Sequence, residues 1–288
     1  MIYPRAAEMY NYDNNKITEV MVMKKINFKA RLFTVVLAAA MPLMLCSCGE
    51  NGGESEMNET QTQAETQAQA EDISSVSFEN GSSGLFEAAD GWCNGSMFNV
   101  TWRADNCTFE NGKMQLIINE DTDLLKTVPY SGGEYRSKDF YGYGRYEVSM
   151  KAIKNDGVVS SFFTYTGPSD GNPWDEIDIE ILGKDTTKVQ FNYFTNGAGN
   201  HEYLYDLGFD ASEDFHTYAF EWREGKITWF VDGVEAHSAE ENIPVTESKI
   251  MMNAWCGTGV DGWLNAFDDS KMPLTAEYQS ISFVPFEE

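Results

Sequence analysis

Glu176, Asp178 and Glu180 alternate with Ile177, Ile179 and Ile181 in one short run that begins at Trp174. In a β-strand, successive side chains point to opposite faces. The three acids therefore share one face and the three isoleucines the other. An isoleucine face can anchor in a core. The acid face then crowds three carboxyls together, and each disfavours ionisation of its neighbours. Two carboxyls flanking one bond are the equipment of glycoside hydrolysis. The competing readings are a solvated acidic strand, a helix with acids at i and i+4, and a metal site. Helix fits poorly, because the run is short, β-branched at alternate positions and closed by Leu182-Gly183. Hard cations usually call for carbonyl ligands and a flexible loop as well.

The elements that must position these acids read as strands. Lys113–Asn119, Gly144–Lys151, Val159–Tyr165, Lys188–Phe194, His216–Trp222 and Lys226–Val231 are short and rich in β-branched and aromatic residues. Asn111-Gly112, Glu224-Gly225 and Asp232-Gly233 mark tight turns, and Lys226–Val231 with the run from Val234 forms a hairpin. A helical period shows only near Met272–Tyr278. Many short strands at regular spacing imply a sandwich or jelly roll. Alternation also sorts side chains: Phe163 with Tyr165, Gln190 with Asn192 and Phe194, and Asn253 with Trp255. Rings and amides on one face suit a sugar cleft, where rings stack and amides bond hydroxyls. The same rings could instead face the sandwich core.

The chain has 288 residues, 14% aromatic, and a net charge of −26. Such acidity argues against nucleic acid or an anionic membrane surface as partner and fits a neutral substrate. Lys24, Lys25, Lys29 and Arg31 precede an apolar run from Leu32 to Leu45, which is short for a membrane span. Leu45-Cys46-Ser47-Cys48 follows and resembles a bacterial lipoprotein signal, with Cys48 the lipidated residue. Ordinary secretion is the alternative. Met21 or Met23 is the expected initiator. Residues 49–74 form an acidic Thr/Gln/Ala/Glu tether with little to bury, and the folded domain spans 75–288. Cys93, Cys107 and Cys256 remain for that domain. A Cys93–Cys107 bridge and free thiols are both open, and no spacing suggests zinc. The three histidines stand beside no Ser or Cys nucleophile motif.

Pro173-Trp-Asp-Glu-Ile-Asp-Ile-Glu-Ile-Leu-Gly closely resembles the bacterial lichenases of glycoside hydrolase family 16. Asp90-Gly-Trp-Cys-Asn-Gly, Ser160-Ser-Phe-Phe-Thr-Tyr and Asn196-Gly-Ala-Gly-Asn-His extend the likeness, which runs from about Phe78 to Tyr278. The resemblance implies an all-β, concanavalin-like jelly-roll sandwich of two curved antiparallel sheets with a cleft on the concave face. It implies endo-hydrolysis of β-1,4 bonds next to β-1,3 linkages in mixed-linkage β-glucan by a retaining double displacement. Glu176 would be the nucleophile, Glu180 the general acid and then base, and Asp178 the group that tunes them. The strict alternation matches the lichenase branch, whereas the laminarinase branch carries a one-residue bulge before the last Glu. Retention requires carboxyls ~5–5.5 Å apart. The two Cα atoms lie about 13 Å apart along a strand, so both side chains must lean inward. Glu180 is expected to hold its proton while Glu176 is ionised.

The resemblance also assigns the cleft to Trp92, Asn94, Glu134, Arg136, Phe163, Tyr165, Trp174, Asn192, Phe194, Asn253 and Trp255. Trp92 and Phe194 stand where the family carries tyrosines. Val100 and Ser131-Gly132-Gly133 replace the usual pair of bridged cysteines. No cofactor is required. The structural calcium common in the family uses a C-terminal aspartate where Gln279 stands, which argues against it. A monomer, with membrane contact only through the lipid, is expected. The remaining readings are hydrolysis of laminarin or a galactan, glycan binding at a dead site, and a purely structural sandwich.

Overall fold

The computed structural model describes residues 73–286. The basic and apolar runs, Cys48 and most of the tether lie outside the described residues. Strands β1 to β8 are Val76–Ser77, Phe86–Ala88, Val100–Trp102, Cys107–Glu110, Lys113–Glu120, Tyr130–Ser137, Gly144–Lys151 and Val158–Thr166. Strands β9 to β16 are Asp175–Leu182, Lys188–Phe194, Tyr203–Asp206, His216–Arg223, Lys226–Val231, Val234–Ala239, Lys249–Cys256 and Leu274–Pro285. A single-turn helix, α1, covers Asp261–Leu264.

The strands build a jelly-roll sandwich. One sheet runs β11-β10-β9-β8-β15-β6, with β2 also on β6. The other runs β5-β16-β7-β12-β13-β14, with β4 on β5 and β1 on β16. The sheets join where Asn119 and Glu120 pair with Ser131 and Tyr130. Every pairing is antiparallel except β3 with β6. Six strands and the hairpin read from alternation are present, and Asp232-Gly233 turns with φ of 47° and 77°, the left-handed pair that a tight hairpin demands.

The isoleucine face of β9 is the anchor of the first sheet. Ile177, Ile179 and Ile181 are fully buried among Phe162, Phe191, Phe220 and Trp229. Burial of each contributes roughly 1.5–3 kcal/mol. Trp229 Nε1 also donates to the Asp178 carbonyl at 3.2 Å, tying β9 to the opposite sheet.

One expectation changes and one open alternative closes. Met272–Tyr278 is not helical: β16 starts at Leu274, and Leu274, Ala276 and Tyr278 are buried while Thr275 and Glu277 are partly exposed. Those apolar positions have period 2, and pairing with β5 and β7 settles the ambiguity. Cys93, Cys107 and Cys256 are all free thiols. Cys107 points into the core, whereas Cys93 lies beside the groove described below.

Strand β6 escaped the pattern reading because Gly132 and Gly133 interrupt it. Close approach requires both. A Cβ on Gly132 would sit 2.7 Å from the Ala254 carbonyl oxygen, and one on Gly133 would sit 2.6 Å from that of Asn106. Val100 and Trp102 pack directly onto Gly132. Gly133→Ala is expected to destabilise the fold by about 1–3 kcal/mol through overpacking, read as a lower Tm in thermal unfolding. An unchanged Tm would show that the backbone yields there.

Candidate active site

Strand β9 pairs with β8 and β10 without a register shift, so its alternation is uninterrupted. Glu176, Asp178 and Glu180 therefore emerge together on the face away from the core. They line a groove of about 660 Å³. From β6 come Glu134 and Arg136, from β8 Phe163 and Tyr165, from β10 Asn192 and Phe194, and from β15 Asn253 and Trp255. Trp92, Asn94 and Trp174 reach in from loops. The structure thus brings every one of the expected groove residues to one place.

The groove has two textures. Its floor is closely bonded. Ser161 Oγ donates to Asn253 Oδ1 at 2.6 Å, and Asn253 Nδ2 reaches Glu134 Oε2 at 3.5 Å. Trp255 is only 2% exposed and packs on Phe98 at 4.2 Å between ring centroids. Asn192 is buried opposite Asp178, and its Oδ1 has no protein partner. The walls are aromatic. Trp174 stacks on Phe194 with centroids 4.7 Å apart and planes 15° apart. The Arg136 guanidinium lies 4.8 Å over the Trp92 ring and bonds Glu87 at 3.2 Å. This cation–π contact helps hold Trp92 in place.

Electrostatics separates the acids. Burial pushes Glu180 up to about 8, opposed by Gln190 Nε2, which donates to its Oε2 at 2.7 Å. Glu176 rises less, to about 7, because Trp174 Nε1 donates to its Oε2 at 2.5 Å and Asp178 bonds it as well. Asp178 is driven well above the ordinary carboxylate range by burial and by both flanking glutamates. Those causes favour its protonated form, which can donate to Glu176. Burial raises both glutamates, so Glu176 is not the freely ionised group that the sequence suggested. Burial also lifts Glu134 to about 7.

Asp175 was not singled out as a functional residue, yet it fixes the strand's start. Its Oδ1 accepts from the Asn196 amide at 2.9 Å, and its Oδ2 from those of Val245 and Thr246 at 3.2 and 3.1 Å. Three N–H donors satisfy a buried carboxylate. Met97, Met251, Lys249 and Trp263 also line the groove. Extending the Asn253–Trp255 alternation back along β15 would have found Met251 and Lys249. Trp263 sits on α1, where no periodicity flags it.

The profile of the glycosyl hydrolases family 16 matches residues 94–276. The chain belongs to this family. It is 59% identical over 208 residues to a β-glucanase of Acetivibrio thermocellus, covering 72% of this chain and 61% of that relative. It is 55% identical over 207 residues to the β-glucanase of Bacillus subtilis, covering 72% of this chain and 84% of that one. Among solved structures, a prokaryotic β-1,3-1,4-glucanase (lichenase) from a mouse hindgut metagenome is 57% identical with a TM-score of 0.71, covering 74% of this chain and 98% of that one. A Thermotoga maritima laminarinase shares the fold at 21% identity and a TM-score of 0.63.

Trp174 supplies a donor that favours ionised Glu176. Trp174→Phe is expected to raise the titration midpoint of Glu176 in carboxyl-¹³C NMR while leaving Glu134 near its wild-type value. Coincident shifts in both would point to a general change in the groove.

Proposed function

We propose that this protein is an endo-β-glucanase that cleaves β-1,4 bonds adjacent to β-1,3 linkages in mixed-linkage glucan, with retention at the anomeric carbon. The observation that carries the reading is the unbulged β9, which presents Glu176, Asp178 and Glu180 in one row beneath an aromatic-walled groove. Similarity to a solved lichenase at 57% identity supports the linkage preference.

Ionised Glu176 attacks the anomeric carbon while Glu180 gives its proton to the departing oxygen. A glycosyl ester on Glu176 results. Glu180, now a carboxylate, takes a proton from water, and the hydroxyl displaces Glu176. The product keeps its anomeric configuration and both glutamates return to their first state. Asp178, protonated, donates to Glu176 and steadies its charge as the ester breaks. Trp174 Nε1 serves the same oxygen group.

The reading needs no metal. Among the described residues no three His, Cys, Asp or Glu side chains are grouped to hold one. Gln279, at the family's calcium position, accepts from Ser149 Oγ at 3.0 Å. With an amide there in place of a carboxylate, the reading leaves calcium out, and no step passes through one. The basic and apolar N-terminal runs support export with lipidation at Cys48, or secretion as the alternative, and the reading has the domain act as a monomer on β-glucan.

Barley β-glucan should be cut far faster than laminarin or carboxymethyl-cellulose. Glu176→Ala should lose activity by several orders of magnitude and, with azide and an activated glucoside, yield the inverted glycosyl azide. Strong laminarin cleavage would reverse the linkage assignment. In the pH profile of kcat/KM, the acid limb belongs to Glu176, which must be ionised, and the alkaline limb to Glu180, which must be protonated. Glu180→Gln should abolish the alkaline limb, and an unchanged limb would remove Glu180 from the acid role.

A further inference from the structure

Beyond Glu180 the groove adjoins a second depression of about 860 Å³, sharing Met97 and Trp263 with it. Gln190 lines this second depression and is 4% exposed. It stands directly across from Glu180 in the β9–β10 register. The Trp263 Nε1–H donates to Gln190 Oε1 at 3.1 Å, and Gln190 Nε2 donates to Glu180 Oε2 at 2.7 Å.

We propose that Trp263 and Gln190 are positioning residues for Glu180, with the indole N–H setting the direction of the amide and the amide setting the direction of the carboxyl. The inference rests on the acid role given to Glu180 above. An indole N–H can only donate. The Gln190 atom facing it must therefore be the oxygen, which leaves the NH₂ end for Glu180. Without that lock the amide can turn over and set an oxygen against a carboxyl oxygen. With Oε2 held by Gln190, Oε1 of Glu180 is the oxygen left to face the departing group.

Trp263 is well placed to act as a fixed reference. Its amide bonds the Val260 carbonyl at 2.8 Å, the next residue Leu264 is buried, and the Leu264 carbonyl accepts from Gly157 at 2.8 Å. Its ring lies 6.0 Å from Trp255, on the groove floor. Other charges also face Glu180. Glu176 and Asp178 lie on its own strand, and Glu202 lies in the second depression, which Lys184, Asp185 and Lys188 also line. Against those acids, Gln190 is the neutral neighbour that stabilises the ionised form of Glu180. Losing its N–H should keep Glu180 protonated to higher pH.

The test compares kcat/KM on barley β-glucan with kcat/KM on a 2,4-dinitrophenyl glycoside of a mixed-linkage oligosaccharide. The dinitrophenolate departs without a proton, so only the glucan needs an aligned acid. Gln190→Leu should slow glucan cleavage by roughly tenfold or more, out of the 10²–10⁴ typical of general acid catalysis. It should change the activated substrate by less than about twofold and move the alkaline limb to higher pH. Trp263→Phe, which keeps a ring but removes the donor, should act in the same direction more weakly, with Glu180→Ala as the benchmark for full loss. Equal losses on both substrates, no loss on either, or a stationary alkaline limb would overturn the relay. Wild-type protein that leaves mixed-linkage glucan uncut would instead overturn the function on which the relay rests.

Discussion

The arrangement depends on a conflict held in one strand. Three carboxyls on a single face of β9 repel one another and resent burial, so left to themselves they would splay into water. The opposite face prevents that. Ile177, Ile179 and Ile181 are locked into the core, and because side chains alternate strictly, the strand cannot turn its acids outward without exposing its isoleucines. Trp229 reinforces the hold from the opposite sheet through the Asp178 carbonyl, and Asp175 clamps the strand's beginning through three backbone amides. Hydrophobic burial thus offsets a local electrostatic cost.

That cost is then distributed unevenly. Glu176 receives two donors, from Trp174 and Asp178, while Glu180 receives Gln190 and sits near the additional charge of Glu202. Two side chains of one chemistry on one strand thereby acquire different hydrogen-bond surroundings. The middle acid, the shortest, is pushed toward its neutral form by burial and by both glutamates. Its proton becomes a fixed part of the scaffold, working as a hydrogen-bond donor that an amide could only partly imitate.

How much of this was legible in the sequence depends on the range of the interaction. The acid face, the tight turns and the long strands follow from local periodicity, and they were readable. The membership of the groove was readable mainly through family likeness, since nothing local says that Glu134 and Arg136 leave a glycine-rich stretch to meet residues over a hundred positions away. Three things were hidden. Leu274, Ala276 and Tyr278 fit either period until neighbouring strands choose. Strand β6 looks like a loop, because its glycines answer to Asn106 and Ala254, which are remote in the chain. Trp263 carries no pattern at all, and its bond to Gln190 exists only once α1 has been folded against the groove. Proton affinities lay beyond reach for the same reason: desolvation is a property of the assembled groove.

The first and last strands carry a consequence of their own. Val76 and Ser77 pair with Ile281 and Ser280, so the two ends of the fold lie side by side in the sheet across the core from the groove. The same adjacency makes the order of strands along the chain a matter of history more than of mechanics. A short bridge could close the ends, and the polypeptide could be reopened at a surface loop far from β9, with the same tertiary contacts available to the permuted chain.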